Sequence, residues 1–134
     1  MNNRVLTGRE VACGVWSPTP VSVENIADIL VESAKYRVFL SDDGSRQVVC
    51  DLYVTGVSTG QQTRTFEIPV PIEPVINFGA SYRAFGITIL IAENQISTNT
   101  GAVLSVAGTK RVRVFGNISS FAASVSQFFY DIAP

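Results

Sequence analysis

Histidine is absent from this sequence of 134 residues, and cysteine, methionine and tryptophan are scarce. Without histidine, the chain lacks the commonest general base and the commonest metal-ligating side chain. A serine nucleophile would then need a lysine base, and no Ser-x-x-Lys arrangement occurs. Residues 56–63 are rich in Gly, Ser and Thr but lack the lysine of a phosphate-binding loop. The sequence therefore predicts a protein that is not an enzyme and that holds no metal or cofactor.

Cysteine occurs only at Cys13 and Cys50, which is too few for a disulfide framework or a tetrahedral zinc site. Both residues are flanked by apolar neighbours, as expected for small buried side chains. A single Cys13–Cys50 disulfide is the alternative, and the lack of a recognisable export signal disfavours it.

Charged residues are also few, at 16% of the chain against 46% for apolar residues, whereas soluble domains usually carry about 25% charged residues. The mean hydropathy is high, at +0.27. We expect no membrane insertion, because the longest apolar run, residues 85–92, is much shorter than the roughly 18 residues that a span requires. The net charge of −1 and the lack of a basic stripe disfavour nucleic-acid binding. Part of the surface is therefore expected to be hidden against other protein chains.

β-Branched residues are abundant: Val, Ile and Thr together number 39, against six Leu. Their stiff side chains fit a pleated sheet better than a helix. Turn residues separate short apolar runs at regular intervals, which is typical of an all-β fold. No linker or repeat divides the chain, so we expect one domain over residues 13–134, preceded by an N-terminal attachment arm over residues 1–12.

Alternating apolar residues predict the individual strands. Residues 36–40 and 48–54 form a hairpin through a turn at residues 42–45. Further strands are predicted at residues 63–70, 103–106, 111–114 and 124–132. Residues 82–92 are apolar at both odd and even positions, which predicts a central strand covered on both sides. The spacing in residues 22–33 fits either a helix or a strand.

Two groups of side chains are candidates for binding. Eight of the ten basic residues are Arg, which suits carboxylate pairing at interfaces better than Lys. Arg111 and Arg113 share a strand face, where they form either an inter-subunit ion pair or part of a solvated surface. The candidate contacts for a glycan are Trp16, Tyr53, Tyr82, Asp42 and Asn99. Core packing is the alternative, and the commoner, role for the aromatic members.

Several short motifs follow one another in a recognisable order. Residues 14–19 read G-x-W-x-P-T, from Gly14 to Thr19. The later motifs are Asn25-Ile26, Tyr36-Arg37-Val38, Val70-Pro71-Ile72, Asn77-Phe78 and the ending Phe128-Phe129-Tyr130-Asp131-Ile132. In this order they resemble a family of small domains in virion proteins of tailed phages and in prophages. The resemblance covers nearly all of the chain from residue 14, and it departs from the family pattern at the proline-rich residues 69–74 and at the acidic hairpin around Asp42.

The resemblance implies an antiparallel β-sandwich of jelly-roll type, commonly a homotrimer, on fibre tips or virion surfaces. It also favours strand over residues 29–40, and we predict strand for residues 22–33 on that ground. The expected function is that of a non-enzymatic structural protein of a tailed-phage virion. Such a protein would be a homo-oligomer, assembled in the bacterial cytoplasm, that decorates or joins capsid or tail proteins. The alternative is the receptor-binding tip of a fibre that recognises a host-surface glycan.

Overall fold

The computed structural model describes residues 8–60, 63–75, 78, 84–93 and 97–134. Within these residues the chain forms nine strands: β1 (Arg9–Val15), β2 (Val21–Glu24), β3 (Ile26–Leu40), β4 (Arg46–Ser58), β5 (Arg64–Pro69), β6 (Ala84–Ile91), β7 (Thr98–Ser105), β8 (Arg111–Gly116) and β9 (Ala123–Ile132). In the same ranges no helix has the length and apolarity needed to cross a membrane. The predicted all-β class is confirmed.

All nine strands belong to one antiparallel sheet with the order β1-β3-β4-β9-β6-β7-β8-β5-β2. The sheet curls so that its two halves share one hydrophobic core. Val54 and Phe128, from one half, belong to the same buried cluster as Ile68 and Val114, from the other. The sheet therefore has an inner surface that encloses the core and an outer surface that the core does not cover.

The segment whose spacing fitted either a helix or a strand is extended, as predicted. Residues 22–33 lie in β2 and β3, which are separated at Asn25, where φ is 58°. The pairing of β3 with β4 is interrupted by register shifts between Ala27 and Leu30 and between Val31 and Ser33. Each such bulge adds a residue to one strand and shifts the alternation of inward and outward side chains. Apolar residues therefore recur here at intervals of three and four, and this recurrence imitates a helix.

The hairpin of β3 and β4 confirms the turn predicted at residues 42–45. Gly44 adopts φ of 85°, a conformation that glycine reaches without steric cost. The backbone N–H of Ser45 donates to Oδ1 of Asp43 at 2.9 Å. Local backbone bonding thus explains an aspartate in this acidic turn.

The N-terminal strand β1 pairs with β3, from Arg9 opposite Leu40 to Val15 opposite Lys35. Residues 9–12 of the expected arm therefore form part of the sheet. Residues 1–7 of that arm lie outside the described residues.

The two cysteines are both free. Cys13 is exposed on β1, opposite Arg37, and Arg37 in turn lies opposite Val49 on β4. Cys50, the next residue, points to the other face of the sheet and is fully buried. The alternative of a Cys13–Cys50 disulfide is wrong, because the two side chains lie on opposite faces.

Candidate interaction surface

Strand β6 lies in the middle of the sheet, between β9 and β7, as predicted for a central strand. Only its inner face is covered: Thr88 and Leu90 are buried, whereas Ile87 and Ile89 are 63% and 46% exposed. The prediction that this strand is covered on both sides is wrong for a single chain. A curled sheet of one layer buries only its inner surface, so the outward apolar side chains of β6 face outside.

The strand register places Ile89 in a row of exposed apolar side chains. Ile89 lies opposite Val125 of β9, and Val125 lies opposite Tyr53 of β4. Residues opposite each other in neighbouring strands point to the same face, with Cβ atoms about 5 Å apart. Val125 is 49% exposed and Tyr53 is 40% exposed. The row is therefore continuous across three strands.

Further exposed residues extend this row into a surface that we call the outer apolar face. Its members are Leu30, Tyr53, Val57, Ile87, Ile89, Val125 and Phe129. They are seven of the twelve exposed large apolar side chains among the described residues, and all seven lie on four adjacent strands, β3, β4, β9 and β6. Apolar side chains that are scattered singly over a surface need no explanation, but a contiguous patch marks an interaction site.

Charged side chains are few at the centre of the outer apolar face. The residues that pair across β3, β4, β9, β6 and β7 in two successive rows are uncharged: Leu30, Thr55, Ala123, Ile91 and Thr98 in one, and Ser33, Tyr53, Val125, Ile89 and Thr100 in the next. The exposed Asp28 and Glu32 lie beside these rows, at the two bulges of β3. The following row contains Lys35 and Asp51, and Asp51 forms an ion pair with Arg37 at 3.5 Å. Depletion of charge at the centre of an apolar patch is the composition of a protein–protein interface.

The two arginines expected at an interface lie in the other half of the sheet, on β8. Nε of Arg113 donates to Oε2 of Glu67 at 3.1 Å, and Nε of Arg111 lies 3.5 Å from Oε1 of the same carboxylate. Glu67 is on the neighbouring strand β5, so the carboxylate partner of both arginines belongs to the same chain.

Trp16, the first glycan candidate, packs against the core from the segment that follows β1. Its Nε1 donates to the carbonyl of Pro69 at 3.1 Å, and its ring meets that of Tyr36 edge-on with centroids 6.5 Å apart. A groove of about 530 Å³ runs between residues 15–20 and residues 29–35 beside this ring. Trp16 thus anchors the segment that leads away from β1.

The remaining glycan candidates are not brought together with Trp16 into one site. Asp42 lies in the turn between β3 and β4, whereas the register places Asn99 level with Val54. Along β4, about eight residues separate the end next to the Asp42 turn from Val54, which corresponds to about 26 Å. Tyr53 belongs to the outer apolar face, and Tyr82 lies outside the described residues.

Arg64, at the start of β5, is a structural residue that the sequence reasoning missed. It is only 2% exposed. Its guanidinium donates to the backbone carbonyls of Gly60, Ile118 and Ser119 and to Oγ of Ser58. It therefore ties the end of β4 to the segment before β9. The alternation of side chains along β5 identifies it: residue 64 points to the same face of the strand as the buried Phe66 and Ile68.

Two buried titratable groups lie side by side in the core. Burial, and then the charge of Asp51, raises the pKa of the Cys50 thiol above its ordinary value of 9.0. Burial, and then Cys50, raises the pKa of Tyr130 above 10.0. The Tyr130 hydroxyl donates to the carbonyl of Ile72 at 2.6 Å. Both groups are held in their neutral forms, which are poor nucleophiles.

No group of three or more Cys, Asp or Glu side chains within the described ranges could hold a metal ion. Comparison of the chain with protein-family models, with curated proteins and with solved structures found no match. The outer apolar face is therefore the feature on which a functional argument rests.

Proposed function

We propose that this chain is a non-enzymatic structural protein of a tailed-phage virion, where it packs against other virion proteins through the outer apolar face. The observation that carries the proposal is the row of exposed apolar side chains, Ile89, Val125 and Tyr53, that runs across β6, β9 and β4. An apolar surface of this kind binds a partner through the area that it buries and the fit of its shape. Weak contacts that are repeated over a particle add up through multivalency. The ordered motifs from Gly14 to Ile132 support a virion as the setting, with assembly in the bacterial host cytoplasm.

We also propose that the curled sheet corresponds to the jelly-roll sandwich implied by those motifs. Strands β3, β4, β9 and β6 would form one layer, and β7, β8, β5 and β2 the other. Packing of Val54 and Phe128 in the same core as Ile68 and Val114 supports this correspondence. So do the contacts that β2 and β5 make with β3, because they bring the far end of the sheet back towards its beginning.

Binding of the purified protein to particles of the phage that carries its gene tests the proposed function. We expect saturable binding to capsids or tails that lack this protein, and immunogold labelling of complete particles. Val125→Lys should abolish binding, since it puts a charge at the centre of the outer apolar face. The matched control is Val21→Lys, at a valine of β2 that is 46% exposed in the other half of the sheet.

Host cells provide the second arm of the experiment. Saturable binding to cells, with no binding to particles, would overturn the proposed function in favour of a receptor-binding tip. Binding to particles that Val125→Lys leaves unchanged would contradict the role given to the outer apolar face.

A further inference from the structure

We infer that the free edge of β1 pairs with the same edge of β1 in a second copy of this chain, antiparallel and about a two-fold axis. The outer apolar face lies on β3, β4, β9 and β6 and is not used in this contact, so it stays available to other virion proteins. The inference goes beyond the proposed function, because it concerns a different surface and the purified chain alone.

The two edges of the nine-stranded sheet differ in their protection against a further strand. The edge strand β2 has only four residues, is interrupted by a register shift between Ser22 and Glu24, and follows Pro20. Short length, bulges and proline are devices that keep an edge strand from pairing with another chain. Strand β1 has seven residues and its bulge lies before Ala12. From Ala12 to Val15 it pairs with β3 in regular register and contains neither charge nor proline. Of the two edges, that of β1 is therefore the one open to a further strand.

The backbone groups of Cys13 and Val15 point to this open edge. The backbone N–H of Trp16 donates to the carbonyl of Ala34 on β3 at 3.1 Å. Successive residues of a strand direct their N–H and C=O groups to alternate sides, so Gly14 also faces β3, whereas Cys13 and Val15 face away from it. Among the described residues, no strand pairs with this side of β1. Each copy therefore offers two backbone donors and two backbone acceptors.

A two-fold axis beside Gly14 satisfies all of these groups at once. Cys13 of each copy then lies opposite Val15 of the other, and each of these two pairs exchanges two hydrogen bonds. The two copies of Gly14 meet at the axis in a pair without hydrogen bonds, where side chains approach most closely, and glycine has no side chain to collide. A two-fold contact requires a self-complementary surface, and the edge of β1 meets this requirement.

The charges at the two ends of β1 are complementary in the same arrangement. The antiparallel direction brings Arg9 and Glu10 of one copy towards residues 17–19 of the other. Those residues line the groove beside the Trp16 ring, and the charged residues of its lining are Glu32 and Lys35. One residue of each sign thus approaches one residue of each sign, and this happens twice because of the two-fold symmetry.

Two further charged residues of β3 do not oppose the contact. Arg37 lies opposite Cys13 and already forms an ion pair with Asp51. Asp28 is exposed, but it lies further along β3 and outside the lining of the groove. The edge of β1 therefore fits a second copy of itself both in backbone hydrogen bonding and in charge.

Sedimentation of the purified chain between 1 and 200 µM tests this inference. We expect the wild type to pass from a monomer of 14.5 kDa to a dimer within this range. Val15→Pro should raise the dissociation constant at least 10-fold, since it removes an N–H that points to the open edge and none that pairs with β3. Val15→Thr is the matched control, because it keeps that N–H, and its constant should stay within 3-fold of wild type.

Circular dichroism verifies that both variants are folded. A wild type that stays monomeric at 200 µM, or that forms trimers, overturns the inference. A folded Val15→Pro variant that dimerises as tightly as the wild type also overturns it.

Cross-linking through the native Cys13 tests the register without any substitution in the edge. Cys13 is exposed and Cys50 is buried, so a thiol reagent reaches Cys13. With the axis beside Gly14, the two Cys13 Cα atoms lie about 8 Å apart, from the spacing between strands and the rise of two residues. A short bis-maleimide should therefore link the two copies, whereas a direct disulfide should form poorly, since it needs Cα atoms within about 7 Å.

The control places the thiol on the other edge of the sheet. In a Cys13→Ser background, Val21→Cys on β2 should stay monomeric with the same reagent. Equal linking of this variant and the wild type, or no linking of the wild type, overturns the arrangement. Neither measurement involves virions or the outer apolar face, so failure here leaves the proposed function standing, and the converse also holds.

Discussion

At the scale of single residues, the ionisable side chains in the interior do structural work. Arg64 places a full charge among carbonyl oxygens and joins the end of β4 to the segment before β9. Cys50 and Tyr130 occupy the core in their neutral forms. The alternation of residues along β5 is visible in the sequence and predicts that the Arg64 side chain points inward. Its acceptors were not predictable, because they are carbonyls up to 55 residues away, whose positions depend on the folded sheet.

Replacing Arg64 tests this role. Arg64→Leu should lower the free energy of unfolding by about 3 kcal/mol, because several buried carbonyls lose a charged donor. Arg37→Leu is the matched control: Arg37 pairs with Asp51 at 3.5 Å on a half-exposed surface, and such pairs contribute about 1 kcal/mol or less. Urea unfolding monitored by circular dichroism measures both variants. Equal losses in the two variants would contradict the structural role of Arg64.

The buried thiol predicts a loss of stability at alkaline pH. Above pH 9.0, the ordinary pKa of cysteine, the unfolded chain loses the Cys50 proton while the folded chain keeps it. The folded state then binds more protons, so its stability falls with rising pH by at most about 1.4 kcal/mol per pH unit for each such group. Tyr130 adds a loss of the same sign above pH 10.0.

Urea unfolding at several pH values checks this loss. Cys50→Ala should flatten the decline between pH 9 and 10 and keep the decline above pH 10 that Tyr130 causes. An identical slope in the variant and the wild type would show that Cys50 does not contribute.

At the scale of the elements, β6 and β3 show where sequence patterns succeed and where they mislead. The run of apolar residues in β6 correctly predicted a central strand, because it reflects pairing on both edges. It did not predict which face the chain would cover, since that depends on how the whole sheet curls. In β3, two bulges hide the alternation of a strand behind helical spacing. A bulge depends on the partner strand, so the sequence of β3 alone does not reveal it.

Adjacent residues of β6 should therefore differ sharply in their contribution to stability. Leu90→Ala should lower the free energy of unfolding by about 3 kcal/mol, because Leu90 is 1% exposed and its loss leaves a cavity. Ile89→Ala should cost about 1 kcal/mol or less, since Ile89 is 46% exposed. Thermal unfolding compares the two variants directly. A loss at Ile89 equal to that at Leu90 would mean that the outer face is covered within the chain.

At the scale of the whole molecule, the structure shows where the excess of apolar over charged residues lies. Much of the apolar excess lies in the core, where it requires no partner. The remainder is concentrated on the outer apolar face, which presents Tyr53, Ile89 and Val125 side by side. Composition predicted hidden surface but not its place, because the face joins residues from strands more than 70 positions apart in the chain.

Carbene footprinting of the protein, free and bound to phage particles, tests the central claim, that the outer apolar face packs against other virion proteins, most directly. On binding, labelling of the peptides that carry Ile89 and Val125 should fall several-fold, while labelling at Val21 should stay constant. In Val125→Lys, the labelling of Ile89 should be the same with and without particles. Labelling of Ile89 and Val125 that stays constant in the wild type would contradict the account.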